Sequence, residues 1–240
     1  MSIKAALNRM HYPVTTLGYG RRVGLWLQGC SIRCPGCVSQ DTWEAGNALQ
    51  HIDVEEIARV WQRWLPAADG LTISGGEPFD QPEALLALMR AWRRDDTRGG
   101  DILVFSGYPL ETLRARHRTH LRALDVLISD PYEAGAGDTR MLRGSDNQRV
   151  TLATALARRR YPRDINTLPW SDGRRRLDMV VAGDDVWMAG IPRRGELARL
   201  QAALRERGLT CATSQQPRQS SQPQQPQKLQ EQPQLLPVRA

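Results

Sequence analysis

Residues 22–37 read Arg-Val-Gly-Leu-Trp-Leu-Gln-Gly-Cys-Ser-Ile-Arg-Cys-Pro-Gly-Cys, an apolar stretch that runs straight into three cysteines. The first seven residues predict a strand, and Cys30, Cys34 and Cys37 follow with the spacing C-x3-C-x2-C. The remaining cysteine, Cys211, is far away in the sequence. A closed zinc site needs four ligands, and an iron–sulfur cube also has four corners. Three local thiolates therefore indicate a cluster with one open iron, which can bind a further ligand directly.

Other interpretations of the cysteines stay open at this level. Cys34-x-x-Cys37 alone is also typical of a thioredoxin-like redox pair or of half a zinc site. A zinc site needs a second pair of ligands, and the four histidines show no ligand spacing. A disulfide framework is disfavoured, because the chain is long, has few cysteines and shows no secretory signal.

Composition limits the class of protein. A chain of 240 residues with 40% hydrophobic residues can form one sizeable core, and no apolar run approaches a membrane span. We therefore expect a cytoplasmic protein without a membrane partner, in a compartment where thiols stay reduced. The net charge is +7, and almost all of the positive residues are arginines. Without a recognised nucleic-acid module, this charge predicts solvated helix faces or an acidic protein partner rather than nucleic acid.

Strands and helices alternate along the chain. Apolar runs predict four strands, at residues 22–28, 71–74, 102–106 and 125–129. We expect a first helix through Trp64, begun by a capping box of Asp53 and Glu56, and a second helix capped by Asp80 with Pro82 in its first turn. Continuous apolar strands separated by helices predict an α/β fold with a parallel sheet, either a partial (β/α) barrel or an open sheet.

The C-terminal part of the sequence changes in character. Two late strands and a helix complete the predicted domain, at residues 177–181, 185–188 and 195–207. Gly208 is placed to end that helix, and the domain is expected to span residues 1–211. Residues 212–240 are rich in Gln and Pro and predict a disordered tail, because they cannot bury enough apolar surface. Residues 153–176, rich in arginine, are expected to form an irregular insertion.

A second motif supplies candidates for a ligand site. Ser74-Gly75-Gly76-Glu77 ends the second strand, and its glycines let the backbone approach a ligand closely. Taken alone, this motif is also typical of a simple strand-to-helix turn. Ser106 and Asp130 end the next two strands, although Asp130 precedes a proline and also fits a turn. Because the carboxyl ends of parallel strands share one edge, we expect these residues and the cysteines to form one site.

The cysteine motif followed by Ser74–Glu77 resembles the radical S-adenosylmethionine (SAM) enzymes. More of the chain, about residues 15 to 210, is similar to the activating proteins of anaerobic ribonucleoside-triphosphate reductase. The similar stretches are Arg22–Cys30, Cys34–Cys37, Asp41–Trp43, Val104–Tyr108, Leu142–Arg149 and Ala189–Pro192. The sequence gives no physical role for Leu142–Arg149, which alone is typical of a polar turn before a strand.

The resemblance implies two cofactors. A [4Fe–4S] cluster would be held by Cys30, Cys34 and Cys37, and SAM would be received by Ser74, Gly75, Gly76 and Glu77, with the Glu77 carboxylate on the SAM ammonium. Gly36 and Val38 would line the adenine end, and Ser106 and Asp130 are further cofactor-binding candidates. The family often has an aromatic residue before the last cysteine and a tyrosine after it, so Gly36 and Val38 alter the adenine contact.

The resemblance also implies an activity and partners. Reductive cleavage of SAM would generate a glycyl radical on a separate glycyl radical enzyme, above all anaerobic ribonucleoside-triphosphate reductase, with the electron from a flavodoxin-like reductant. Two alternatives stay open. One is a radical SAM enzyme that modifies a peptide or small molecule, and the other is an iron–sulfur electron carrier or sensor without SAM chemistry.

Overall fold

The computed structural model describes residues 2–46, 50–170, 175–182 and 185–209. The strands are β1 Lys4–Val14, β2 Arg22–Leu27, β3 His51–Asp53, β4 Gly70–Gly75, β5 Asp101–Phe105, β6 Val126–Ser129, β7 Arg149–Leu152, β8 Leu177–Ala182 and β9 Asp185–Gly190. The helices are α1 Val54–Trp61, α2 Pro82–Asp95, α3 Leu110–Arg116, α4 Arg118–Ala123, α5 Ala155–Arg160 and α6 Glu196–Glu206. The strands predicted from apolar runs are confirmed, whereas β1 and β3 were not predicted. Among the described residues, no helix is both long and apolar enough to cross a membrane.

Seven of the strands form one open sheet in the order β3-β1-β2-β4-β5-β6-β7. The four central strands β2, β4, β5 and β6 run parallel to one another. The outer strands β1 and β7 are antiparallel to their neighbours, and β3 pairs antiparallel with β1. The predicted α/β fold with a mostly parallel open sheet is therefore confirmed, and antiparallel strands close both sides of its parallel centre.

Apolar residues cover both faces of the sheet. One face packs against α1, α2 and α3, where Trp61 and Trp92 are fully buried and meet edge to face. On the other face, Leu103, Val126 and Ile128 pack against α5 and the chain after it. A second region of that face is covered by the separate hairpin of β8 and β9, whose Trp187 contacts Trp26 edge to face. Burial on both faces explains the continuous apolar strands.

Residues 153–176 are more ordered than the sequence suggested. The described part contains α5, and Ala157, Tyr161 and Ile165 are buried in the core. Arg160 and Tyr161 both bond Asp101, which also pairs with the buried Arg22. The expectation of an irregular insertion is thus wrong here, because its spaced apolar residues cover the sheet.

Two predicted helix starts differ in detail from the structure. The Asp53 carboxylate caps α1 by accepting from the Glu55 N–H, and α1 ends at Trp61 rather than Trp64. At the start of α2, Pro82 occupies the first turn as expected, but the N-cap is Gln81, without a side-chain bond. The prediction that Asp80 caps α2 is wrong, because its carboxylate bonds other loops. Gly208 follows α6 with φ of 77°, as predicted. The predicted tail at 212–240, and Cys211, lie outside the described residues.

Candidate active site

Four loops meet at the carboxyl edge of the parallel strands. The cysteine loop follows β2, residues 74–77 end and follow β4, residues 106–108 follow β5, and Asp130 follows β6. The first two loops are joined through backbone, because the Gly76 N–H donates to the Leu27 carbonyl at 2.8 Å and the Glu77 N–H to the Gly29 carbonyl at 2.9 Å. The structure thus brings the predicted site segments to one edge.

The glycine pair lets β4 and the cysteine loop approach closely. Gly75 has φ of 101°, and a Cβ built on it would overlap the backbone of Leu27. A Cβ on Gly76 would overlap the carbonyl oxygen of Gly29. Ser74, the residue before the pair, still lies in β4, in register with Trp26 of β2. The glycines are therefore required by the backbone geometry itself, beyond the space that they leave for a ligand.

Glu77 lies under the loops with only 1% of its surface exposed. Its carboxylate accepts from the Phe79 N–H at 3.0 Å, the Ser106 hydroxyl at 2.9 Å and the Gly107 N–H at 2.7 Å. Burial raises the pKa of Glu77, and the three hydrogen bonds lower it. The effect of burial is larger, so the pKa of Glu77 is about 7. Glu77 and Ser106 therefore join the β4 and β5 loops, and a bond from Glu77 to a cofactor ammonium stays a prediction.

None of the three cysteines of the described loop forms a disulfide, and all three are half-buried. The Cys30 N–H donates to the Trp43 carbonyl at 3.0 Å, and the Cys37 N–H to the Cys34 carbonyl at 3.1 Å, which closes a tight turn. Gly36, with φ of 80°, makes that turn possible. The loop geometry therefore holds the last two thiols within one turn of each other.

Burial and hydrogen bonds act in opposite directions on two of the thiols. Burial raises the pKa of Cys34, and a hydrogen bond from the backbone N–H of Tyr132 lowers it. Burial also raises the pKa of Cys37, while the Ser39 N–H, 3.4 Å from its sulfur, lowers it. Both thiols therefore favour the protonated form in the metal-free chain, and metal binding must release their protons.

Asp80 connects the cysteine loop to the β5 loop. Its carboxylate accepts from the Ser31 N–H at 2.7 Å, the Ser31 hydroxyl at 2.9 Å and the Tyr108 hydroxyl at 2.7 Å. Neither Tyr108 nor Ser31 was a predicted site residue, and spacing alone gave no sign of this contact. The sequence did place the loop Ser106–Tyr108 after a strand end, among the loops expected to build the site.

Asp130 is held in a strained conformation at the end of β6. Its φ is 82°, and Arg149 binds both of its carboxylate oxygens, at 2.7 and 2.6 Å. The same guanidinium contacts both oxygens of Glu111. The structure therefore gives Asp130 an ion pair that the sequence did not suggest, and its contact with a cofactor stays a prediction.

The segment Leu142–Arg149 now has a physical role. Arg143 is 1% exposed, and its guanidinium donates to the backbone carbonyls of Met141, Gln148 and Ile165. Burial lowers the pKa of Arg143 to about 10. Gln148 in turn donates to the Asp130 carbonyl at 3.0 Å. The segment thus holds in place the chain that follows β6 at the carboxyl edge of the sheet.

The outer part of the site is open. Val38 is 39% exposed, and the ring of Tyr132 lies beside Gly36, where an added Cβ would come within 3.4 Å of it. The structure places Gly36 and Val38 on the cysteine loop as expected, and Tyr132 is an aromatic neighbour that the sequence did not reveal. A role of Gly36 and Val38 in adenine binding stays a prediction.

The donor set fits an iron–sulfur cluster better than a single ion. Soft thiolates are the ligands that such clusters prefer, and three of them lie on one loop. Within the described residues, no group of three His, Cys, Asp or Glu side chains is already placed to hold a metal ion, so the fit rests on the chemistry of the three thiols. The thiols and the adjacent glycine turn match the expected parts of a radical SAM site, and the role of the three cysteines as cluster ligands stays a prediction.

Comparison with known proteins supports this class. The family model for the 4Fe–4S single cluster domain matches residues 16–151. The chain is 32% identical over 136 residues to the anaerobic ribonucleoside-triphosphate reductase-activating protein of Enterobacteria phage T4, covering 55% of this chain and 85% of that protein. The protein of that name from Haemophilus influenzae is 32% identical over 144 residues, covering 58% and 92%.

Two further matches cover less of the chain. The pyruvate formate-lyase-activating enzyme of Clostridium pasteurianum is 35% identical over 77 residues, which cover 30% of this chain and 32% of that enzyme. The solved structure of QueE from Escherichia coli matches 43% of this chain and 53% of its own, with a TM-score of 0.37 and 20% identity. The fold class therefore rests on the sheet described above.

The chain belongs to the 4Fe–4S single cluster domain family and to the family of anaerobic ribonucleoside-triphosphate reductase-activating proteins. It is accordingly a radical SAM enzyme, and the cofactors of this class are a [4Fe–4S] cluster and SAM.

Proposed function

We propose that this protein generates a glycyl radical on a partner enzyme, and that the partner is an anaerobic ribonucleoside-triphosphate reductase. The observation that carries the proposal is the backbone contact between the loop with three cysteines and the Gly75–Gly76 turn, at the carboxyl edge of the parallel strands. The relatives named above, which activate such a reductase by name, point to this partner. A flavodoxin-like reductant would supply the electron.

The residues of the chain have separate tasks in this proposal. Cys30, Cys34 and Cys37 hold the cluster, and the backbone of residues 74–77 receives the amino-acid part of SAM. When bound, the cluster and SAM supply one-electron reductive cleavage of the sulfonium C–S bond, and hence abstraction of a hydrogen atom. Gly36 and Val38 face the adenine end.

Three other groups orient these parts. Glu77 and Ser106 hold the β4 and β5 loops together beneath the ligand, and the ion pair of Asp130 with Arg149 fixes the end of β6. A cofactor site built on the ends of adjacent strands is held more rigidly than one on free loops. Thiolate ligands need a reducing compartment, so the proposal places the protein in the cytoplasm.

The test is anaerobic reconstitution with iron and sulfide, followed by reduction with dithionite and measurement of 5′-deoxyadenosine formed from SAM. We expect steady formation of the nucleoside by the reconstituted protein and none by a Cys34→Ala variant. A reconstituted protein that holds its cluster but does not cleave SAM would overturn the proposal in favour of an electron carrier or sensor.

A further inference from the structure

Two adjoining cavities lie along the outer edge of β7, the last strand of the sheet. The larger has a volume of about 570 Å³ and the smaller about 320 Å³. Val150 and Asn166 line both, so the two cavities form one continuous groove. We refer to it as the β7 groove.

The wall of the β7 groove is strongly basic. Arg158, Arg159 and Arg163 line the larger cavity and are exposed. In the part of the chain that the structure describes, none of the three forms an ion pair, whereas Arg149 and Arg160 pair with Asp130 and Asp101. The guanidinium of Arg158 donates to the Leu152 carbonyl at 3.0 Å. Three charges thus remain available to an acidic ligand.

The floor of the groove is apolar, and the backbone of Val150 in β7 already has hydrogen-bond partners. Val150, Leu152 and Ile165 line the larger cavity beneath the arginines. The Asn166 side chain donates to the Val150 carbonyl and accepts from the Val150 N–H, both at 2.8 Å, as a neighbouring strand would. Addition of a strand at this position is therefore blocked. A ligand must bind through its side chains.

An apolar floor with a basic wall fits a protein segment that carries both acidic and apolar side chains. Nucleic acid fits less well, because among the described residues that line the two cavities none is aromatic and able to stack on a base. Opposite charges across such a surface steer encounter and fix the register of a complex. The chemistry of the groove thus favours an acidic protein segment.

The groove also leads toward the active site. Arg149, which lines the smaller cavity, is the residue that binds the Asp130 carboxylate at the end of β6. A segment bound along β7 would therefore reach the edge of the sheet where the cysteine loop lies. We propose that the β7 groove docks an acidic segment of the partner enzyme; this inference rests on the proposed function, which supplies the partner.

The test compares two variants with the same change of charge. Arg158→Glu, Arg159→Glu and Arg163→Glu are combined in the groove variant. In the control variant, Arg59→Glu, Arg90→Glu and Arg122→Glu are combined on α1, α2 and α4, which pack on the opposite face of the sheet. Each reconstituted protein is titrated with purified anaerobic ribonucleoside-triphosphate reductase at low and high salt. A fluorescent peptide of alternating Glu and Leu probes the groove without the reductase.

We expect the groove variant to bind both the reductase and the peptide about tenfold or more weakly, with a smaller salt dependence, and the control to bind like the wild type. Formation of 5′-deoxyadenosine without the reductase should be unchanged in both variants. If the groove variant is unstable, replacement of the same arginines by Gln should weaken binding in the same direction.

The inference would be overturned if the groove and control variants bound the reductase and the peptide equally well. It would also be overturned if the groove variant lost affinity for a DNA duplex but not for the reductase or the peptide. Failure of the proposed function looks different. In that case the wild type itself would not bind the reductase, whereas the acidic peptide would still distinguish the groove variant from the control.

Discussion

The Asp80 carboxylate accepts two hydrogen bonds from Ser31 of the cysteine loop, from the backbone N–H at 2.7 Å and from the hydroxyl at 2.9 Å. Because Asp80 also accepts from Tyr108 at 2.7 Å, one carboxylate joins the loops that follow β2, β4 and β5. Ser31 directly follows Cys30, the first of the three proposed cluster ligands. The position of the cysteine loop therefore depends on a residue that is not itself a ligand.

Replacement of Asp80 by Asn should loosen the cysteine loop. The amide keeps the size of the side chain, but its NH2 group cannot accept from Ser31 or Tyr108. We expect the reconstituted cluster to be lost to a chelator several times faster, and the free energy of unfolding to fall by about 1 kcal/mol. Both can be followed by visible absorbance and by urea unfolding under anaerobic conditions.

The matched control is Glu83→Gln, which makes the same chemical change on an exposed residue of the first turn of α2. It should leave the rate of cluster loss unchanged. Equal rates in the Asp80 and Glu83 variants would show that Asp80 does not position the loop.

Gly76→Ala should destabilise the fold before any ligand binds. The added methyl would overlap the carbonyl of Gly29, so the cysteine loop and β4 must separate. We expect a loss of about 3 kcal/mol in the free energy of unfolding, measured by urea denaturation of the cluster-free protein. Gly135→Ala serves as the control, because an added Cβ there meets no atom within 4 Å. Similar stabilities of the two variants would contradict the close approach described here.

Much of this arrangement was predictable from the sequence. Apolar runs revealed the central strands, and the rule that parallel strands share one carboxyl edge placed the cysteine loop, residues 74–77, Ser106 and Asp130 together. The strand β1 was missed because Lys4–Val14 mixes polar and apolar residues without clear alternation and contains a proline. Local pattern therefore predicts the buried centre of the sheet better than its edges.

Side-chain partners distant in sequence could not be predicted. Asp80 has the sequence context of a helix cap, yet its carboxylate bonds Ser31, 49 residues away in the sequence. The pair of Arg149 with Asp130 and the carbonyl contacts of Arg143 likewise depend on the path of the chain after β6. A capping rule considers only the nearest residues. It therefore cannot show that the Asp80 carboxylate accepts hydrogen bonds from distant loops instead of capping the helix.

The raised pKa of Glu77 makes stability depend on pH in a defined direction. The folded chain holds the Glu77 proton up to a pKa of about 7, above the ordinary value of 4.5, so protonation favours folding. This stabilisation is complete below about pH 4.5 and is lost as the pH rises to about 7, a change of about 3 kcal/mol. Urea unfolding of the cluster-free protein at a series of pH values should show it.

Glu77→Gln removes the titrating group. Between pH 4.5 and pH 7.5, the free energy of unfolding of the variant should fall by about 3 kcal/mol less than that of the wild type. All other titrating groups are present in both proteins, so their contributions cancel in this difference. Glu83→Gln, an exposed change, should follow the wild-type curve. Parallel curves for wild type and Glu77→Gln would contradict the assignment of this pH dependence to Glu77.

The cluster should need three cysteines and no more. Cys30→Ala, Cys34→Ala and Cys37→Ala should each abolish the reconstituted cluster, because each removes one of three thiolates on a single loop. Cys211→Ala is the control and should retain iron and sulfide, measured by chemical analysis and visible absorbance. Loss of iron in the Cys211 variant would instead indicate four thiolate ligands and no open iron for SAM.

The most direct test of the account is an electron paramagnetic resonance spectrum of the partner after activation. The reduced, SAM-loaded protein is incubated anaerobically with an anaerobic ribonucleoside-triphosphate reductase. The Cys34→Ala variant provides the control for background signals. The account predicts a glycyl-type doublet on the reductase with the wild type and none with the variant. SAM cleavage without any radical on the reductase would contradict it and favour an enzyme that modifies a peptide or small molecule.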